Sequence, residues 1–188
     1  MLRLPAARSP LERFFSGGYL NTIDDTRFQE RSGDRAAVRR VILCTGKIYY
    51  DLATRRDELD RDDIAIVRVE QLYPFPADEI EGILESYPNR EQVTWVQEEP
   101  RNHGAYFHMQ RMMRDRLEVE LEDISRVSSP SPSGGSAAMH EQEQREIVTA
   151  AIDGVPRTRA SKSDTGSSKS KKPKGSKPRG SKIGRAHV

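Results

Sequence analysis

The chain of 188 residues carries 31 Lys or Arg against 29 Asp or Glu, but the charge is uneven: from Arg157 onward 11 basic residues face one acid, Asp164, which leaves 20 basic and 28 acidic residues before it. An acidic body with a basic tail gives no ground for nucleic-acid or membrane-surface binding by the folded part. The single Cys44 excludes a disulfide framework and a cysteine-based metal site within one chain, and no apolar stretch approaches the roughly 18 to 20 residues of a membrane span.

Residues 1–37 read as an irregular lead-in, with Pro5, Pro10, Gly17 and Gly18, a polar stretch from Asp24 to Arg35, and a short extended piece from Tyr19 to Ile23. An α/β domain is expected over 38–155. It opens on the continuous apolar run Val41-Ile42-Leu43-Cys44, which suits a strand buried on both faces of a parallel sheet. The run stops at Thr45-Gly46-Lys47, and Ile48, Leu52 and Leu59 with the stem of Arg56 then fall on one face at helical spacing.

The pattern repeats. Ile64 to Val69 is a second strand, Tyr73-Pro74-Phe75-Pro76 a turn, and Pro76 with Asp78 and Glu79 introduces a helix whose apolar face holds Ile80, Ile83, Leu84 and Tyr87. Val93 to Gln97 is a third strand, Glu98 to Gly104 a polar loop, and Tyr106, Met109, Met113 and Leu117 mark a third helix, the methionines being core filling rather than a cofactor box. Ile124 to Val127 predicts a short fourth strand, broken by the cluster Ser128 to Gly135. His140, Gln144, Ile147, Val148 and Ala151 give a last helix ending near Gly154. Four alternations of strand and helix predict a three-layer α/β domain with a mainly parallel sheet of four to five strands.

From 156 to 188 Ser, Lys, Gly and Pro dominate without an aromatic, a composition that cannot bury enough surface to fold and reads as a disordered tail. Its last residues, Ile183 to Val188, are what a common sequencing adapter encodes, so the reading frame is expected to run into adapter and the true C-terminus is not represented.

Three stretches are dense in functional groups. Thr45-Gly46-Lys47 follows a buried strand, at the carboxyl edge where ligands of open α/β sheets collect. The plainer account, Gly46 for a positive φ and Lys47 solvated, outweighs it. Gln97-Glu98-Glu99-Pro100-Arg101-Asn102-His103-Gly104 has two carboxylates and a His, but neighbouring carboxylates point in different directions, so a structural or interface role is favoured over acid–base or metal chemistry. Ser128 to Ser136, with Arg126 before and His140 after, offers hydroxyls and amides to an anion, as ordinary loops also do. No nucleophile elbow, Walker loop or G-x-G-x-x-G occurs in the folded part, and the sequence shows no catalytic or metal-binding residue.

The runs Leu43 to Leu52, Ile64 to Pro76 and Val96 to Gly104, in this order and spacing, resemble the C-terminal domain of the thiamine diphosphate-dependent dehydrogenase component of the 2-oxoglutarate dehydrogenase complex. The resemblance covers about residues 1–153. It departs from the family at His103, where a Gln precedes the glycine, and at Pro130 and Gly134 of the serine loop, although Arg126, Ser129, Ser131, Pro132 and Gly135 match. Met1-Leu2-Arg3 and Ala7-Arg8-Ser9 match the family's segment leading into this domain. Met1 is therefore read as an internal methionine of a longer protein, and the Arg- and Ser-containing start is not taken as a mitochondrial transit peptide.

The resemblance implies a transketolase C-terminal-domain-like fold and a parent enzyme that oxidatively decarboxylates 2-oxoglutarate and passes succinyl to a lipoyl group in the citric acid cycle. The parent would use thiamine diphosphate and Mg2+, neither expected in this piece, which alone should be inactive. Implied partners are a second copy in a homodimer and the dihydrolipoyl succinyltransferase component, with no specific nucleic acid and no membrane. The compartment is the bacterial cytoplasm in preference to a mitochondrial matrix. This domain would serve dimer packing and, in some relatives, an allosteric acetyl-CoA site, for which strand-end position nominates Thr45, Gly46, Lys47 and Gln97. The alternative is a stand-alone module that binds an anionic nucleotide such as acetyl-CoA.

Overall fold

The apolar run ending at Cys44 forms the central strand of a five-stranded sheet in the computed structural model, which describes residues 5–7, 11, 15, 17–30 and 33–154. The expected basic tail and its adapter-like end lie outside the described residues. In chain order the elements are β1 (Thr22–Ile23), α1 (Thr26–Glu30), a 3-10 turn (Arg35–Ala37), β2 (Arg40–Cys44), α2 (Ile48–Glu58), β3 (Ile64–Val69), α3 (Ala77–Glu85), β4 (Gln92–Pro100), α4 (Tyr106–Leu117), β5 (Glu122–Arg126) and α5 (Ala137–Ile152).

The sheet order is β1-β3-β2-β4-β5, with β1 antiparallel to β3 and every other pair parallel. Val41 pairs with Ala65 and Val93, and Leu43 with Val67 and Trp95. Because strand side chains alternate, the continuous run is shared between two cores. Val41 and Leu43 pack with Ile80, Leu84, Trp95, Met109 and Met113 beneath α3 and α4. Ile42 and Cys44 pack with Ile48, Leu52, Ile66, Ile147 and Ile152 beneath α2 and α5. The result is the three-layer α/β architecture with a mainly parallel sheet that the pattern predicts. Each fully buried aliphatic side chain contributes roughly 1.5–3 kcal/mol relative to exposure.

Several local features differ from expectation. Leu59 is not on the buried face: it closes α2 at φ −98° and stays 40% exposed, while Arg56, at i+8 from Ile48, is buried whole rather than by its stem alone. β4 runs on through Glu98 and Glu99 to Pro100, so the polar loop begins later. β5 lies earlier than expected, at Glu122–Arg126, and Val127 is exposed. Met109 and Met113 of α4 are fully buried, as core filling requires.

The lead-in holds a strand, a short helix and two carboxylates that reach into the domain. Asp25 is fully buried: its Oδ2 accepts from Arg56 Nη1 and, at 2.8 Å, from Ile66 N, while its Oδ1 accepts from Arg27 N at 3.0 Å. Asp24 accepts from Tyr87 Oη and Arg35 Nη2, both at 2.6 Å, and Arg35 lies over the Tyr87 ring. Burial and the bond to Asp24 both push the Tyr87 phenol up.

At the other end, arginines from β2, α2 and the α2–β3 connection hold the last turn of α5. Arg40 Nη1 donates to Ala151 O at 2.8 Å, Arg61 Nη1 to Ile152 O at 2.7 Å, and Arg55 Nη2 to Asp153 Oδ2 at 2.9 Å. Helix C-termini leave carbonyls without intrahelical partners and attract cations, and these guanidiniums answer both needs.

Candidate functional site

The carboxyl ends of β2, β4 and β5 and the N-terminus of α5 meet along one edge of the sheet. Gly46 adopts φ 75° and a Cβ there would meet nothing within 4 Å, so the turn conformation rather than a close approach calls for glycine. The turn aims Lys47 along the edge, where its Nζ lies 3.8 Å from Asp51 Oδ2 and 3.9 Å from Glu98 Oε1. Gln144 Nε2 of α5 donates to the same two oxygens at 2.8 Å each. Lys47 is thus half-exposed, as the plainer account holds, yet it faces two carboxylates.

Beside Glu98 lies a cavity of about 340 Å³ lined by residues that include Glu99, Arg126, Ser133, Ser136 and His140. Ser136 caps α5 by accepting from Met139 N at 3.2 Å. Arg126 Nη1 donates to Pro132 O at 3.1 Å, and its Nε sits 2.9 Å from Glu143 Oε2, paired by charge but out of line for a hydrogen bond. Asp51, Glu98, Glu99 and Glu143 outnumber Lys47 and Arg126 here. An anion would therefore have to displace carboxylates, although the α5 N-terminus and the serine loop favour one.

Gln97 lies beneath this surface. It is 2% exposed, and its Oε1 accepts from Trp95 Nε1 at 2.8 Å and Tyr106 N at 2.9 Å. Its Nε2 donates to Pro100 O at 3.1 Å and Glu99 O at 3.3 Å. Both ends of the amide are occupied, so Gln97 holds the β4–α4 connection. The structure brings Lys47 together with Glu98, and places Thr45 and Gly46 on the turn that carries it.

The remaining polar groups of the loop are also engaged. Asn102 donates to Ser129 O at 2.9 Å and accepts from Ser129 N at 3.0 Å, and His103 Nε2, as a donor, reaches the same carbonyl at 2.7 Å. These contacts clasp the serine loop to the end of β4, which fits the structural role favoured for this stretch. Cys44 is fully buried, with Sγ 3.8 Å from Val67 O, and burial pushes its thiol up, so it stays protonated and unreactive. Sequence reasoning missed Asp51 and Gln144. They come to the site from two helices, Asp51 from the first turn of α2 and Gln144 from the middle of α5, and in the sequence each is visible only as a polar helix position.

No group of three His, Cys, Asp or Glu side chains among the described residues is placed to hold a metal ion. Among the described residues no helix is long and apolar enough to cross a membrane.

Comparison with known proteins gives a consistent picture. Residues 8–152 match the family model described as 2-oxoglutarate dehydrogenase C-terminal. The chain is 40% identical over 155 residues to a multifunctional 2-oxoglutarate metabolism enzyme of Mycolicibacterium vanbaalenii, covering 81% of this chain and 12% of the relative. It is 39% identical over 153 residues to the 2-oxoglutarate dehydrogenase E1 component of Azotobacter vinelandii, covering 79% of this chain and 16% of the relative. Among solved structures, a split-gene transketolase in an inactive beta4 tetramer superposes with a TM-score of 0.47 at 15% identity, over 62% of this chain and 38% of its own. The chain thus spans a small part of the curated relatives it matches.

Proposed function

Because the chain belongs to the 2-oxoglutarate dehydrogenase C-terminal family, we propose that it is the C-terminal domain of such a dehydrogenase and packs that enzyme's subunits rather than carrying its chemistry. The observation behind this reading is the 39–40% identity over 153–155 residues to two relatives named for 2-oxoglutarate chemistry. The polar groups of the sheet edge also support it, since Gln97, Asn102 and His103 are used in internal bonds rather than converging on a reacting atom.

On this reading the parent decarboxylates 2-oxoglutarate oxidatively and hands succinyl to a lipoyl group of a dihydrolipoyl succinyltransferase component. Thiamine diphosphate and Mg2+ are bound outside the described residues. The parent is a homodimer, its bacterial relatives favour the bacterial cytoplasm over a mitochondrial matrix, and the domain of this chain spans 38–155, with residues 1–37 as a lead-in from which β1 and Asp25 join it. The purified chain, assayed with 2-oxoglutarate, thiamine diphosphate, Mg2+ and an artificial electron acceptor, is expected to show no turnover above background. Measurable turnover overturns the assignment of this chain to packing.

A second, regulatory role rests on the Thr45-Gly46-Lys47 turn. An anionic nucleotide such as acetyl-CoA would place a phosphate on Lys47 in competition with Asp51 and Glu98. Glu98→Gln is then expected to tighten acetyl-CoA roughly two- to fivefold, the scale of one partly exposed ion pair, while Lys47→Ala weakens it similarly. Isothermal titration calorimetry measures both changes, and equal affinities for all three proteins remove Lys47 from the site.

A further inference from the structure

Four large apolar side chains stand in solvent around one short stretch, residues 70–73. Tyr73 is 85% exposed, Tyr19 71%, Phe107 52% and Leu20 47%. Hydrogen bonds join the segments that carry them. Tyr19 Oη donates to Glu70 O at 2.8 Å, and Glu70 N and Gln71 N donate to Asn21 O at 2.8 and 3.0 Å. On the other side, His108, the residue after Phe107, places Nε2 3.0 Å from Leu72 O. Leu72 and Phe75 pack on the core beneath, so the turn is anchored while Tyr73 points outward.

Side chains of this size scattered singly need no explanation, but several at one place mark a surface that another protein surface covers, and aromatics are enriched in the centres of such surfaces. The occupant follows from where the backbone runs. Residues 19–21 pass along this patch into β1. In the relatives the matched region is 12–16% of the polypeptide and belongs to a family named for the C-terminal part. Most of a relative's chain therefore precedes this region and joins it on the N-terminal side, the side from which residues 19–21 lead into β1.

We propose that Tyr19, Leu20, Tyr73 and Phe107 form the face on which the preceding part of a 2-oxoglutarate dehydrogenase polypeptide docks. This deepens the C-terminal-domain reading and rests on it. The occupant should present a matching apolar surface with an acceptor at its rim for the half-exposed Arg101, which lies over the Phe107 ring.

The test uses hydroxyl-radical labelling read by mass spectrometry on the isolated chain and on a chimera in which this chain replaces the matched region of the Azotobacter vinelandii E1 component. Tyr73 and Phe107 are expected to label in the isolated chain and to be protected at least fivefold in the chimera, with Leu59 at the end of α2 labelled alike in both. The double variant Tyr73→Ser, Phe107→Ser should lower the melting temperature of the chimera and leave that of the isolated chain unchanged. Equal labelling of the patch in both proteins overturns the docking face. So does protection in an isolated chain that sediments as a dimer, which would assign the face to a second copy. A chimera that fails to fold with the unaltered patch also counts against it. A chimera that turns over 2-oxoglutarate with the patch still labelled sinks the face and leaves the domain reading standing. A protected but inactive chimera does the reverse.

Discussion

Asp25→Ala is expected to lower the unfolding free energy by about 3–5 kcal/mol, the usual effect of removing one partner from a buried ion pair. The substitution leaves the Arg56 guanidinium, 2% exposed, without its buried carboxylate, and strips Ile66 N and Arg27 N of their acceptor. Against a typical total of about 5–15 kcal/mol this is a large fraction of the stability. Urea unfolding followed by circular dichroism measures it. Asp25→Asn, which keeps an oxygen for the amides but loses the charge, should fall between wild type and alanine. A loss below about 1 kcal/mol for the alanine variant would mean that water or Asp57, 3.3 Å from Arg56 Nε, satisfies the guanidinium. The lead-in would then be a loose appendage rather than part of the fold.

Gly104→Ala should destabilise by roughly 2–5 kcal/mol, by an indirect route. A Cβ at this position would lie 2.2–2.5 Å from the three terminal heavy atoms of Gln97. That amide cannot swing aside freely, because four hydrogen bonds hold it under the β4–α4 connection. Expelling it would leave Trp95 Nε1–H and Tyr106 N–H buried without acceptors, at about 1–3 kcal/mol each. Trp95 is the chain's single tryptophan, so its fluorescence reports the change directly. Combining Gly104→Ala with Gln97→Ala removes the clash. The double variant should be less destabilised than the sum of the two single variants, and strict additivity would show that Gly104 acts through something other than Gln97.

The contrast between these two sites explains what could be read from the residues. Val41 to Cys44, Ile64 to Val69 and Met109 and Met113 of α4 announce themselves locally, because burial on a strand or helix face imposes a period on neighbours in the chain. Asp25 and Arg56 are 31 residues apart, and each on its own resembles a solvated charge in a polar stretch. Their pairing is a product of topology and has no local signature. The same holds at the sheet edge. Strand-end position locates Lys47, but Asp51 and Glu98 turn its surroundings acidic, and Gln144, which bridges the two carboxylates, comes from a helix 93 residues beyond Asp51 in sequence. Strand-end position nominates Gln97 as a ligand contact. Its amide is instead consumed internally because Trp95, two residues before it, has an indole N–H that must be satisfied in the core.

The arginine-held last turn of α5 bears on how the protein is made. Ile147, Ala151 and Ile152 cover the sheet face that carries Ile42, Cys44, Ile64 and Ile66, and their anchors, Arg40 and Arg61, are synthesised long before them. At a translation rate of about 5–20 residues per second, the roughly one hundred residues between β2 and the end of α5 take about 5–20 s to add. Throughout that interval the apolar face of a nascent sheet has only α2 to shelter it. Ribosome-associated chaperones would find their binding surface there, and productive folding of this layer waits for the helix that closes it.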